Sequence, residues 1–370
     1  MANILINGIS AKAGGGKSIL VNFLSLLQKA ETNDKYIVVV PDAGFSIYAR
    51  ENVLIVPFLN SGFSLFRYYV SGVRKLIKKH NISLVFNLAD IIVPVSTRQI
   101  YLFDWPYAIY PDSVAWSKMT RKELLFRKFK LFLIRRFLRF PALLIAQTNV
   151  ARSRLEDIYR INNIEVVPNA VSLDHFSGGQ HVDYGLPEST FKLLYLTKYY
   201  THKNIEVFLS MARIIRDQDL PFSIVITIDE SQNSNARKFL EDIKKEGLDK
   251  IVINVGPVKM EHVPSLYEQT QALLMPSLLE SFSGTYVEAM YHGKPIFTSD
   301  LDFARVVCDD AAFYFDPLSP HSIIDVIRAA YNSPDSLLAK IRLGKERLNG
   351  CLNWPQAFEK YLNIIERYKN

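Results

Sequence analysis

Residues 276–317 read PSLLESFSGTYVEAMYHGKPIFTSDLDFARVVCDDAAFYFDP, and two carboxylates in that stretch, Glu280 and Glu288, stand eight positions apart. Ala272 to Met275, just before it, is an apolar run of buried-strand type, and Glu280 closes the short loop that follows. Gly284 opens a helix that carries Glu288 and stops at Gly293, a C-cap signal backed by Pro295. A second buried strand, Pro295 to Thr298, ends at Ser299-Asp300. One acid therefore belongs to a strand's carboxyl end and the other to the next helix. The backbone N–H groups of Phe282, Ser283, Gly284 and Thr285 lie between them, at the helix's positive end. That layout suits a ligand with a phosphate for the N–H groups and hydroxyls for the carboxylates, as in a sugar nucleotide. Two acids at this spacing, taken bare, are more often solvated helix charges.

Outward from that unit the chain alternates strands and helices. Strands are expected at Ile4–Asn7, Ile37–Val40, Val53–Val56, Leu84–Asn87, Ile100–Phe103 and Leu143–Gln147, with helices including Ser18–Ala30 and Leu65–Lys79. A polar segment with Ser177-Gly178-Gly179-Gln180 and Pro187 then breaks the pattern. Beyond it come Lys192–Leu196, a helix from about Asn204 to Asp217, Phe222–Ile228, a helix to Lys245, and Ile251–Val255. This predicts an α/β chain of two tandem doubly wound, Rossmann-like domains facing across a cleft. Their expected bounds are 1–172 and 191–353, with a linker at 173–190 and a last helix, 354–370, packing back on the first domain.

The two acids in their setting (Pro276-Ser277 before, Glu288-Ala289-Met290 after, then Gly293-Lys294-Pro295-Ile296 and Ser299-Asp300) resemble the Glu-x7-Glu signature of family 4 retaining glycosyltransferases. That resemblance implies the glycosyltransferase-B architecture. It also implies a catalytic-side Glu280 on hydroxyls of the donor sugar and Glu288 on the ribose. Val167-Pro168-Asn169-Ala170-Val171 with Phe176 resembles the family's segment before the linker, with Ala170 where glycine is usual. Val255-Gly256-Pro257-Val258 resembles the stretch bordering the nucleobase, so Gly256 and Val258 are nucleobase-side candidates. Lys198 and Lys203 stand where the family has a basic pair on the donor diphosphate; lysine there acts as a compact cation. Ser281 and Ser283 replace glycines around Phe282, and Val306 stands near where a Glu often follows.

The resemblance implies retention of anomeric configuration, the leaving phosphate itself accepting the proton, and no metal or other cofactor. Many members add a first-domain histidine near the sugar. Here only His80 precedes the linker, at a helix end, and Asp104 at a strand's carboxyl end is the substitute candidate.

Ala11-Lys12-Ala13-Gly14-Gly15-Gly16-Lys17-Ser18 is one substitution from the phosphate loop of nucleoside triphosphatases, with Lys17 and Ser18 in the corresponding places. That reading needs a metal-holding acid after a strand, for which Asp42 and Asp90 are the candidates. It also leaves the second domain without a task. In the transferase reading Gly15 and Gly16 let backbone approach the donor phosphate or the acceptor. A non-catalytic relative that binds a glycan or partner is the remaining alternative.

The 370 residues, 49% hydrophobic and 22% charged, suffice for two cores. Cys308 and Cys351 form neither a metal spacing nor a disulfide framework, which fits a reducing compartment. The amino end lacks a leader pattern, and no apolar run is long enough to span a bilayer. The net charge of +7 concentrates in Lys118 to Arg139, with nine Lys or Arg against Glu123 alone. Ten apolar residues interleave with them, including Leu125, Phe126, Phe129 and Phe132. Such a helix suits an anionic membrane interface, with Arg127, Lys128, Arg135 and Arg136 at the headgroups. Packing on its own domain is the plainer alternative, and no nucleic-acid module is visible. The expected setting is cytoplasmic and peripheral, on the inner face of the cell membrane. The expected partners are a nucleotide sugar, a glycan or lipid-linked glycan acceptor and the anionic surface.

Overall fold

The computed structural model describes every residue except 13, 59–61, 172–180 and 370, so the segment Ser177–Gln180 read as a linker lies outside the described residues. The chain divides into two compact units. Met1–Pro111, Thr120–Ala170 and Leu352–Asn370 form one; Asp112–Met119 and Val171–Cys351 form the other.

The first unit holds seven strands: β1 (Asn3–Asn7), β2 (Lys35–Val40), β3 (Val53–Pro57), β4 (Leu84–Asn87), β5 (Arg98–Leu102), β6 (Leu143–Ala146) and β7 (Ile164–Val166). All pair in parallel, in the order β3-β2-β1-β4-β5-β6-β7. Helices cover both faces of such a sheet, so its central strands are apolar without alternation. Ile4, Leu5 and Ile6 of β1 are buried, as are Ile37 to Val40 of β2. The last helix, Trp354–Tyr368, starts with a capping box between Asn353 and Gln356. It buries Phe358 and Tyr361 against Phe23 and Phe86, with ring centroids 5.0 Å apart for Phe23–Phe358 and 5.7 Å for Phe86–Tyr361.

The second unit repeats the scheme with β8 (Phe191–Tyr195), β9 (Phe222–Ile226), β10 (Val252–Asn254), β11 (Ala272–Met275), β12 (Ile296–Ser299) and β13 (Ala312–Phe315). Their order, β10-β9-β8-β11-β12-β13, is again wholly parallel. Both sheets reverse direction of growth at one point, between β1 and β4 and between β8 and β11. Doubly wound sheets bind ligands outside the strands' carboxyl ends at that reversal.

Two departures from the sequence reading lie in the first unit. The first helix begins at Gly14, four residues earlier than expected, and Gly14 has a left-handed φ of 64°. The segment read as one helix, Leu65–Lys79, is Gly62–Arg67 and Val73–His80 joined by a π-helical turn, Tyr68–Gly72. That turn seats the buried Tyr68, whose hydroxyl donates to Asn7 Oδ1 at 2.9 Å. Ala170 is not among the residues with positive φ, so alanine needs no strained backbone there.

Candidate active site

At the reversal point of the second sheet, two loops are pinned to each other before any ligand is considered. The loop after β8 is held by paired bonds of Thr197 with Thr227, and of Tyr199 with Gln232. It continues into a tight turn, Thr201–Lys203, which Asn204 ends with a left-handed φ of 54°. The loop after β11 is tied to this turn by Leu278 N–H donating to the His202 carbonyl at 2.7 Å. Buried Tyr195 bridges both loops, its hydroxyl 2.9 Å from Ser277 Oγ and 3.2 Å from the Lys203 carbonyl. These ties carry Lys203 to Glu280, with Nζ 2.5 Å from Oε1 and both side chains largely buried. Lys203, expected on a diphosphate, thus pairs with the expected sugar-binding acid. Lys198 lies exposed on the same loop.

The Gly284–Tyr291 helix follows. The side chain of its N-cap, Ser283, does not bond to the first N–H groups, which leaves that role open. Phe282, Gly284 and Thr285 are partly accessible. A β-carbon at Gly284 would stand 3.9 Å from Glu288 Oε1 and 3.4 Å from Val171, so glycine keeps clear the space beside the carboxylate. Burial pushes the Glu288 carboxyl up to about 7, against a weak opposing bond from Tyr267, whose hydroxyl is 3.5 Å from Oε2. Glu288 keeps some accessible surface, so it sits in a crevice and not in a sealed core. Gly293 ends the helix with φ of 62°, the left-handed cap the sequence called for.

Gly256 has φ of 74°, a conformation that excludes most side chains, and its N–H donates to Asn254 Oδ1 at 3.3 Å. The same Asn254 amide clips the loop after β9 through Ile228. Val258 is half-buried.

In the first unit, Gly16 and Asp104 meet: a β-carbon at Gly16 would lie 3.9 Å from Asp104 Oδ2. Asp104 follows β5 and Asp90 follows β4, its neighbour in the sheet. Burial, and then the charge of Asp90, pushes the Asp104 carboxyl well above the usual carboxylate range, while Lys130 opposes the shift. Gly15 is exposed in the same opening turns of the first helix as Gly16, as are Lys17 and Ser18, so the glycine-rich stretch read as a loop is helical from Gly14. The acids a triphosphatase would need are engaged elsewhere. Asp42 caps the turn after β2 through Gly44 N–H at 2.8 Å, and Asp90 Oδ2 pairs with Lys130 Nζ at 2.8 Å. His80 lies at the opposite edge, where its carbonyl accepts from Asn3 at the amino end of β1.

The basic segment forms the Arg121–Phe137 helix, with a Thr120–Glu123 capping box. Leu125, Phe126, Phe129 and Phe132 are 73, 69, 59 and 60% exposed, and Lys128, Arg135 and Arg136 are exposed with them. Arg127 corrects the reading: its guanidinium lies 4.2 Å above the Tyr107 ring. At about 100° per residue, position 127 falls on the side opposite Phe129. Lys130, buried on that inner side, had no individual signal beyond this same wheel position. No described helix is long and apolar enough to cross a membrane.

Residues 13–175 match the profile described as Glycosyltransferase Family 4, and residues 179–347 that of Glycosyl transferases group 1. The D-inositol 3-phosphate glycosyltransferase of Pseudarthrobacter chlorophenolicus is 27% identical over 165 residues, 42% of this chain and 39% of that protein. The chain spans less than half the length of this and two further relatives of the same name. The O-antigen chain mannosyltransferase of Salmonella typhimurium is 22% identical over 272 residues, 73% of this chain and 70% of that one. Among solved structures, Anabaena HepE in complex with UDP-glucose superposes with a TM-score of 0.75 at 13% identity, covering 99% of this chain and 100% of that one.

Proposed function

Since the chain belongs to the family 4-like glycosyltransferases of the two-domain B fold, we propose that it moves a sugar from a nucleotide sugar to a hydroxyl of a glycan or lipid-linked glycan. The transfer retains anomeric configuration, needs no metal, and serves lipopolysaccharide O-antigen or another surface polysaccharide. The observation that carries this reading is the Lys203–Glu280 pair beside the start of the Glu288 helix, at the reversal point of the second sheet. The mannosyltransferase likeness supports the acceptor class, and the UDP-glucose held by the Anabaena protein supports the donor class.

In this mechanism Glu280 accepts hydrogen bonds from donor-sugar hydroxyls, and Lys203 fixes its orientation. The N–H groups at Gly284 and Thr285, with Lys198, meet the diphosphate and stabilise charge as it leaves. Glu288 accepts from the ribose, and the loop at Gly256 and Val258 borders the base. The departing phosphate takes the acceptor proton on the face it leaves, while Asp104 orients the acceptor hydroxyl and can share that proton. Gly15 and Gly16 offer backbone to the acceptor or the donor phosphate. The apolar–basic face of the Arg121–Phe137 helix seats the protein on an anionic leaflet at the cytoplasmic side.

Calorimetry with UDP and GDP in EDTA, followed by the anomeric coupling constant of the transferred sugar, tests the reading. Diphosphate binding without metal and a retained anomer are expected. Magnesium-dependent ATP binding with no diphosphate binding, or an inverted anomer, would overturn it.

A further inference from the structure

The inner face of the Arg121–Phe137 helix carries a lysine where packing alone would favour an apolar side chain. Burying an ammonium costs several kcal/mol unless its charge is met. Lys130 is 8% exposed, and its charge is met twice: Nζ is 2.8 Å from Asp90 Oδ2 and 4.4 Å from the centre of the Trp105 ring. Asp90 lies just beyond β4, and Trp105, with Asp104 before it, just beyond β5; the two strands adjoin, Asn87 pairing with Tyr101. The lysine therefore spans two neighbouring strand ends, touching the carboxylate of one and the residue next to Asp104 on the other. The Asp90 end is held independently, its N–H reaching Ser10 Oγ at 3.4 Å and its carbonyl accepting from Tyr101 at 3.3 Å.

We propose that Lys130 is a positioning residue for Asp104: by neutralising Asp90 and bracing Trp105, it fixes Asp104 in place beside Gly16 and favours its charged form. The proposal rests on the reading of Asp104 as the group that handles the acceptor hydroxyl. Asp104 is faced by Asp90 beyond β4, Tyr101 on β5, Tyr361 on the last helix and Lys130; Lys17, next to Gly16, is exposed. Among these described neighbours Lys130 is the one cation, and it is buried. Without it, two carboxylates confront each other and the more buried one retains its proton.

Carbon-13 NMR of protein labelled at aspartate Cγ, with the Asp104 signal assigned by Asp104→Asn, reads this directly. Lys130→Met should raise the Asp104 titration midpoint by about one pH unit, the size expected from losing a nearby opposite charge. Lys130→Arg should hold it, and Asp90→Asn should lower it. The acid limb of the pH–rate profile should follow the same order. A midpoint in Lys130→Met and Asp90→Asn within about 0.3 of wild type, even with reduced melting temperatures, would make Lys130 a packing residue and overturn the proposal. Should Lys130→Met not fold, Asp90→Asn alone decides the sign. The titration stands apart from turnover: full activity in Asp104→Asn would refute the catalytic reading of Asp104 and leave the clamp to be judged by the midpoints.

Discussion

Replacing Glu288 with glutamine should move stability and ligand binding in opposite directions, which no purely structural role does. Burial raises this carboxyl from its ordinary 4.5 to about 7. The folded chain thus holds the proton more tightly than the unfolded one. Its stabilising contribution is complete below about pH 4.5 and is lost as the pH climbs through about 7. That rise corresponds to roughly 3 kcal/mol at about 1.4 kcal/mol per tenfold change, and the remaining solvent access of the side chain reduces it to about 1–2. Glutamine keeps the shape and never ionises. The variant should melt with the wild type near pH 5 and several degrees above it at pH 8, at about 2–4 °C per kcal/mol. At pH 8, where the wild-type carboxyl is ionised, the variant's nucleotide affinity should fall roughly ten- to a hundredfold, since a charged hydrogen bond to ribose is worth about 1.5–3 kcal/mol. Differential scanning fluorimetry from pH 5 to 8 and calorimetry with a nucleoside diphosphate check the two halves. Equal melting at pH 8 would show that the carboxylate is not desolvated, and undiminished affinity would remove it from the ribose.

Glu280→Gln should abolish most transfer while nucleotide diphosphate affinity holds; a wild-type transfer rate would dismiss it from the sugar. Contrary to a purely catalytic role, it should also cost about 1–2 kcal/mol of stability, because Lys203 loses its charged partner but keeps an acceptor. Gly256→Ala should lower the melting temperature through about 1–2 kcal/mol of left-handed strain, with unchanged melting showing that the loop relaxes. Exchanging Phe129 and Phe132 for serine with Lys128 and Arg136 for glutamine should release the protein from anionic vesicles, each basic group being worth about 1 kcal/mol there. Equal co-sedimentation of wild type with neutral and anionic lipid would mean that this face meets no membrane.

The central strands were legible to within a residue or two because both faces of a parallel sheet are covered, so burial writes itself as an unbroken apolar run. Ala272–Met275 and Leu84–Phe86 are such runs, and each lies within a strand. The edge strand β7 was not legible: it is three residues long, and its centre, Glu165, faces out to pair with Arg367 at 2.6 Å. The π-helical turn at Tyr68–Gly72 left no mark either, because the apolar period continues on both sides of it. Its cause is a distant one, the Tyr68 hydroxyl reaching Asn7 on β1.

The residue types of the site were legible, but their partners were not, since partnership is set by strand order and not by spacing. Lys198 and Lys203 look alike in sequence, yet only Lys203 meets Glu280, 77 positions away, because β8 and β11 adjoin where the sheet reverses. That pairing bears on how two carboxylates can stand near a charged diphosphate in the proposed site. Lys203 offsets the charge of Glu280, and burial raises the Glu288 carboxyl to about 7, which leaves it partly protonated near neutrality. In the proposed donor site, what would face the ligand is Lys198 and the positive end of the Gly284–Tyr291 helix. On that reading an incoming anion would meet net positive charge, and the acids would read its hydroxyls. Binding of the diphosphate should accordingly weaken above about pH 7 in the wild type relative to Glu288→Gln, because only the wild type gains the Glu288 charge there. Calorimetry with inorganic pyrophosphate, which has no ribose to confuse the reading, measures that slope. Pyrophosphate itself gains charge between pH 6 and 8 in both proteins, so wild-type and Glu288→Gln profiles that run parallel over that range would show that the carboxylate's charge does not reach the phosphate subsite.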